Sequence, residues 1–285
     1  MREEKRLIKN TGIIAIGNLS TKLITFLLLP LYTSILSTSE YGTIDYIVSI
    51  ASFCIPFVSF LMDESVFRFL IDCGTKDEEK RVISTAMGIA LAGCVLFCAI
   101  AVPVLRCVNY LYPWELIGYV LSFTLSMMVS AILRGTGRTG RYALFNFLAG
   151  AATVVFNVVF IAALRWGVRG MMLAYILGQA VVAFAFIAWD RMWRWIDFRG
   201  CERERVRSMV AYSLPLIPNK ISWTIINLSD RLVIINTIGS SAAGLYAVAY
   251  KFPTLMDTVY GFFYQAWKES SARVLGDEQQ DVFYN

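Results

Sequence analysis

Apolar positions gather into eight stretches, roughly residues 10–36, 42–66, 83–106, 113–133, 142–164, 169–189, 209–238 and 244–267, parted by short polar segments. Each is long enough for an α-helix to cross a hydrocarbon core, which takes about 20 residues. The pattern predicts an all-α polytopic membrane protein of about eight transmembrane helices. The first stretch follows Met1-Arg2-Glu3-Glu4-Lys5-Arg6, a basic start like that of a signal peptide. Its apolar run is roughly 27 residues, whereas a cleavable one has about 7–15. It is expected to stay as an uncleaved span.

The polar segments orient the chain. The N-terminal tail, the loops near 68–81, 134–141 and 190–207, and the C-terminal tail carry 19 of the 26 basic residues. The loops near 37–41, 106–112, 165–169 and 238–243 carry 3. Positive residues stay on the cytoplasmic side, so both termini are expected there. An even number of spans requires the same.

Composition then narrows the chemistry. Apolar residues make up 57% of the chain and charged ones 16%, against roughly 25% charged in a soluble domain. There is no histidine, which removes His-based triads and His-ligated metals. The six cysteines form no C-x-x-C pair. Cys94 and Cys98 lie one turn apart in an apolar span and read as small apolar residues. No cofactor and no metal are expected. The net charge of +5 is spread over separate loops and does not signal nucleic acid. Arg134-Gly135-Thr136-Gly137-Arg138-Thr139-Gly140-Arg141 lacks the ending of a P-loop and follows no strand, so it reads as a short turn. No motif for ATP hydrolysis occurs.

The longest polar stretch, near 190–207, divides six spans from two more. The expected organisation is an N-terminal six-helix lobe over 1–195 and the start of a second lobe over 196–285. Many transporters are built from two such related bundles. Gly42 opens the second span and Gly244 the eighth, 202 residues apart, a weak internal echo that convergence on a tight turn would also produce. If it marks a second lobe, the chain holds only that lobe's first two helices, and activity of these 285 residues alone is not expected.

Ionisable groups at membrane depth are costly and face a cavity or a partner. Here they concentrate in spans 1, 2, 7 and 8: Lys22, Asp45, Asp63, Glu64, Lys220, Asp230, Arg231, Lys251 and Asp257. Depth along the last hairpin matches Asp230 with Lys251 and Lys220 with Asp257. Two readings stand open. These groups are salt bridges holding the hairpin, or they line a polar cavity for a charged substrate. Pro30, Pro215, Pro218 and Pro253 lie within or at the ends of spans as candidate hinges, with Pro215 and Pro218 expected to disturb span 7.

Four stretches carry a family likeness: Asn10 through Gly17 leading to Pro30-Leu31-Tyr32 and Glu40-Tyr41-Gly42; the end of span 2 with Arg68; Arg134 through Arg138; and Asn227-Leu228-Ser229-Asp230-Arg231 followed by Gly244 through Lys251. Together they resemble the multidrug/oligosaccharidyl-lipid/polysaccharide exporter superfamily, and within it the bacterial flippases of undecaprenyl-diphosphate-linked repeat units. The resemblance implies a multi-pass protein of the bacterial inner membrane, not an enzyme, with two helical bundles around a cationic cavity and alternating access. It implies a lipid-linked oligosaccharide diphosphate as substrate, membrane lipids as surroundings and polysaccharide assembly proteins as partners. Lys22, Lys220, Arg231 and Lys251 are the candidate substrate-binding residues. Asp63, Glu64, Asp230 and Asp257 are candidate coupling or salt-bridge carboxylates. A cation-coupled multidrug exporter is the alternative, kept open by the acids in the spans. A membrane-embedded ligase or polymerase fits less well, because all four exterior loops are short.

Overall fold

The computed structural model describes residues 29–195 and 202–254, with 256 and 260. Among the described residues there is no strand. The helices are α1 (Leu29–Ile35), α2 (Thr38–Ser59), α3 (Met62–Ile71), α4 (Lys76–Cys107), α5 (Pro113–Gly135), α6 (Thr139–Asn157), α7 (Gly167–Trp189), α8 (Arg203–Ser213), α9 (Leu216–Thr237) and α10 (Ser240–Ala249). A π-helical stretch, Val158–Ala163, extends α6, and a 3-10 turn, Met192–Trp195, follows α7. Among the described residues, five helices are long and apolar enough to cross a membrane: α2, α4, α5, the extended α6 and α7.

Local chemistry sets the starts. Ser37 caps α2 and Thr75 caps α4, each in a reciprocal box with the glutamate three residues on, Glu40 and Glu78. Pro113 opens α5, where its missing N–H costs nothing. Two expected spans are each divided. The stretch 209–238 breaks at Leu214 and Pro215 between α8 and α9, as proline there requires. The stretch 42–66 breaks at Phe60 and Leu61, both left-handed at φ 50° and 49°. Side chains other than glycine pay roughly 1–2 kcal/mol each for that conformation. Packing holds the break in place. Leu61 is buried, its N–H donates to the Ser59 hydroxyl at 3.1 Å, and the Val58 carbonyl presses on Gly93 of α4, where any Cβ would collide.

The core forms two clusters. One joins Met62, Val66, Ile83, Met128, Phe145, Phe186 and Met209; the other joins Tyr32, Ile47, Ile55, Tyr119, Ile161, Met171 and Met172. Outside them, α4 turns Leu91, Val95, Leu96 and Ile100 outward, each more than half exposed. Such a face suits acyl chains rather than water.

The loops separate by charge as alternating helices require. Arg138 and Arg141 meet Asp190, and Arg81 meets Glu202 at 2.7 Å, at one end of the bundle. Glu115 meets Arg169 at 3.4 Å at the other. The loops rich in arginine and lysine thus share a basic end, and the sparse loops share the opposite end.

The α9–α10 hairpin packs on α2 at the sparse end. A Cβ at Gly42 would strike the Ser240 carbonyl, and a Cβ at Gly244 would strike the Thr38 carbonyl. Thr38 and Ser240 are themselves 202 residues apart, like the two glycines, so the contact is reciprocal. The Ser39 and Ser240 hydroxyls are hydrogen-bonded at 2.6 Å. Cysteines at both positions, with the native ones replaced by alanine, are expected to form an oxidant-driven disulfide in membranes. Gly42→Leu should abolish it by parting the helices. Absence of the bond in the parent, or full yield with Gly42→Leu, would contradict this packing.

Candidate functional site

The ionised groups nearest this crossing meet across helices rather than within the hairpin. Asp45 lies two turns into α2, and Arg231 lies two turns before the end of α9. Arg231 Nε donates to Asp45 Oδ2, with the two side chains 13% and 15% exposed. A guanidinium at that depth is held only because a carboxylate meets it. Removing one partner of a buried pair leaves a charge uncompensated, at a cost of about 3–5 kcal/mol.

Aromatic rings surround the pair. The Arg231 guanidinium carbon lies 5.2 Å from the centre of the Tyr250 ring. Tyr250 and Tyr246 are stacked at 5.7 Å. The Tyr246 hydroxyl donates to Asp230 at 2.9 Å. On the other side, Tyr32 and Tyr41 are buried with their rings 6.5 Å apart. Tyr119 and Tyr175 meet edge to face at 6.0 Å. A charged donor and the carboxylate that meets it thus stand among flat rings.

Asp230 accepts from Tyr246, and its neighbour Arg231 reaches Asp45, on a helix 186 residues away. Each of Asp45 and Arg231 lies about 10 Å from the sparse end at 1.5 Å per residue, so comparing all spans would have found them. Asp257, and with it the Lys220–Asp257 match, lies outside the described residues, as does Lys22.

The remaining candidates are dispersed. Lys220 is exposed on α9, two turns from the Leu214–Pro215 break. Its charge acts on Asp63. Asp63 lies in the first turn of α3, and its Oδ1 is buried with no hydrogen-bond partner. Glu64 beside it is exposed. Lys251 is half-buried in the helical turn after α10, where Pro253 is exposed. Pro30 stands exposed in α1, and Pro215 and Pro218 flank the start of α9. Asp45 was noted at the outer end of its span but not assigned to the site, and nothing in its neighbours marks it. Asn157, fully buried at the junction of α6 with its π-helical end, was not singled out either.

The sequence pattern of the polysaccharide biosynthesis protein family matches residues 7–267. No curated protein sequence matches the chain. Among solved structures, the chain is similar to a MATE protein crystallised in complex with MaL6, at 18% identity and TM-score 0.70, covering 97% of this chain and 67% of that one. It is similar to an inward-facing multidrug resistance MATE family transporter of the MOP superfamily, at 19% identity and TM-score 0.63, covering 92% and 69%. A MOP superfamily transporter from Pyrococcus furiosus gives 18% identity and TM-score 0.62, covering 89% and 62%. The chain thus spans about two thirds of the length of the structures whose fold it shares. With the family pattern running over nearly the whole chain and this helix arrangement beneath it, the chain belongs to the polysaccharide biosynthesis protein family.

Proposed function

We propose that the protein serves as a flippase, carrying undecaprenyl-diphosphate-linked oligosaccharide repeat units across the bacterial inner membrane for surface polysaccharide such as O-antigen, capsule or exopolysaccharide. Transport, not bond-making chemistry, is its activity. The observation that carries this reading is the Arg231–Asp45 pair beside Tyr246 and Tyr250. A diphosphate cannot cross roughly 30 Å of hydrocarbon alone. A guanidinium held in place by an exchangeable carboxylate offsets its desolvation through two donors at once.

The mechanism is alternating access between an N-terminal lobe, 1–195, and the start of a second, 196–285. The basic end is the cytoplasmic one, and both termini lie there. In the described state the sparse, exterior end is closed by Gly42, Gly244, Ser39 and Ser240. Asp63 and Lys220, toward the basic end, interact without forming an ion pair. A substrate diphosphate arriving from the cytoplasm displaces Asp45 from Arg231 and releases the exterior contact. The breaks at Phe60–Leu61 and Leu214–Pro215 let the basic ends of α2–α3 and α8–α9 swing. Lys22, Lys251 and Asp257 belong to the same polar path.

One observation favours a second reading, a cation-coupled multidrug exporter. The buried, unpartnered oxygen of Asp63 is a ready acceptor for a proton or cation, and the solved structures of this fold include multidrug transporters.

Labels at Gly137 are expected to report the cytoplasm and labels at Ser241 the exterior; reversed reactivity in intact cells would overturn the orientation. Arg231→Ala should lower surface polysaccharide export about tenfold or more while the protein still inserts, from the loss of a charged hydrogen bond worth roughly 1.5–3 kcal/mol. Arg231→Lys should recover only part, because lysine keeps the charge and loses the fork. The double variant Asp45→Asn, Arg231→Gln removes both charges. Normal export in that variant would reduce the pair to a structural brace, and drug efflux in place of polysaccharide export would favour the second reading.

A further inference from the structure

The basic end carries a cluster that transport between the lobes does not use. Asp190 ends α7, and its side chain is only 2% exposed. It forms an ion pair with Arg141 and lies 3.5 Å from Arg138, both at the start of α6. Arg134 at the end of α5 lies over the Phe67 ring at 4.0 Å. Arg191 and Arg194 follow Asp190 and are exposed. Five guanidinia are therefore gathered on one turn and one helix end. Among the described residues, Asp190 pairs with this cluster and the Glu79 charge acts on Arg138.

We propose that this cluster is a headgroup site for an anionic phospholipid of the surrounding bilayer. Orientation alone needs positive charge somewhere in a loop. Here a buried carboxylate pins two arginines, and the excess charge is concentrated rather than dispersed. Burial and the neighbouring Arg141 charge push the Arg138 proton affinity down. Each guanidinium can present two donors to a phosphate.

The flanks specify a lipid over a free phosphate. Arg138 stacks on Trp195 at 4.2 Å. Trp189 and Trp193 are 64% and 53% exposed, as indoles at headgroup level are. Directly along α7, Val181 and Phe184 stand exposed and continue the surface into the acyl region. A ligand with a phosphate at one end and hydrocarbon at the other matches both parts. Basic pockets between membrane helices on the cytoplasmic side take such headgroups.

The full chain in phosphatidylcholine nanodiscs, titrated with phosphatidylglycerol and read by native mass spectrometry and thermal unfolding, tests this. Wild type should retain phosphatidylglycerol selectively and unfold at higher temperature with it. The double variant Arg191→Gln, Arg194→Gln leaves the Asp190 pairs intact, so folding should be kept. Its retention should fall about 30-fold, at roughly fivefold per guanidinium. Equal retention of both lipids by wild type, or unchanged selectivity in the variant, would overturn the proposal. So would inorganic phosphate or glycerophosphate at millimolar concentration displacing the lipid, which would make the site one for a free anion.

Discussion

A guanidinium inside a membrane must have an anion beside it, and the arrangement of this protein follows from where that anion sits. Arg231 on α9 is matched by Asp45 on α2, so the charge balance of one segment depends on the position of another. The two helices cannot part at the exterior end without exposing both charges or supplying another anion.

Close backbone approach makes that pairing geometrically possible. Gly42 and Gly244 remove the two Cβ atoms that would hold α2 and α10 apart. With the helices this close, Ser39 and Ser240 meet, and Asp45, three residues beyond Gly42, comes level with Arg231. At the opposite end the same segments are broken, by left-handed Phe60 and Leu61 on one side and by Leu214 and Pro215 on the other. The structure is therefore tightly joined at one end and segmented at the other. Membrane helices concentrate hinge motion at such breaks.

Much of this was legible in the chain. Helix positions followed from apolar length, and the ends followed from the arginines and lysines, because both obey the bilayer rather than tertiary detail. The division near Pro215 was legible because proline acts locally. The Gly42–Gly244 spacing read as an echo between lobes; that the two glycines meet in one crossing is visible only in the packing. The break at Phe60–Leu61 was not legible: neither residue favours it, and it rests on burial of Leu61 and on Gly93 of another helix. The partner of Arg231 was missed for a related reason. Asp45 lies on another span, so depth along the α9–α10 hairpin does not reveal it. Asn157 carries no sequence signal distinguishing it from a solvated asparagine; only its complete burial sets it apart.

The central claim is that a lipid-linked diphosphate exchanges with Asp45 and opens the exterior end. Spin-label distances in nanodiscs address it most directly, with labels at Trp114 and Ile238 at the sparse end, both exposed. On adding undecaprenyl diphosphate, the account predicts a longer Trp114–Ile238 distance, and no such change with Arg231→Gln. Distances that stay fixed with the ligand bound, or that shift equally in the Arg231→Gln protein, would contradict it.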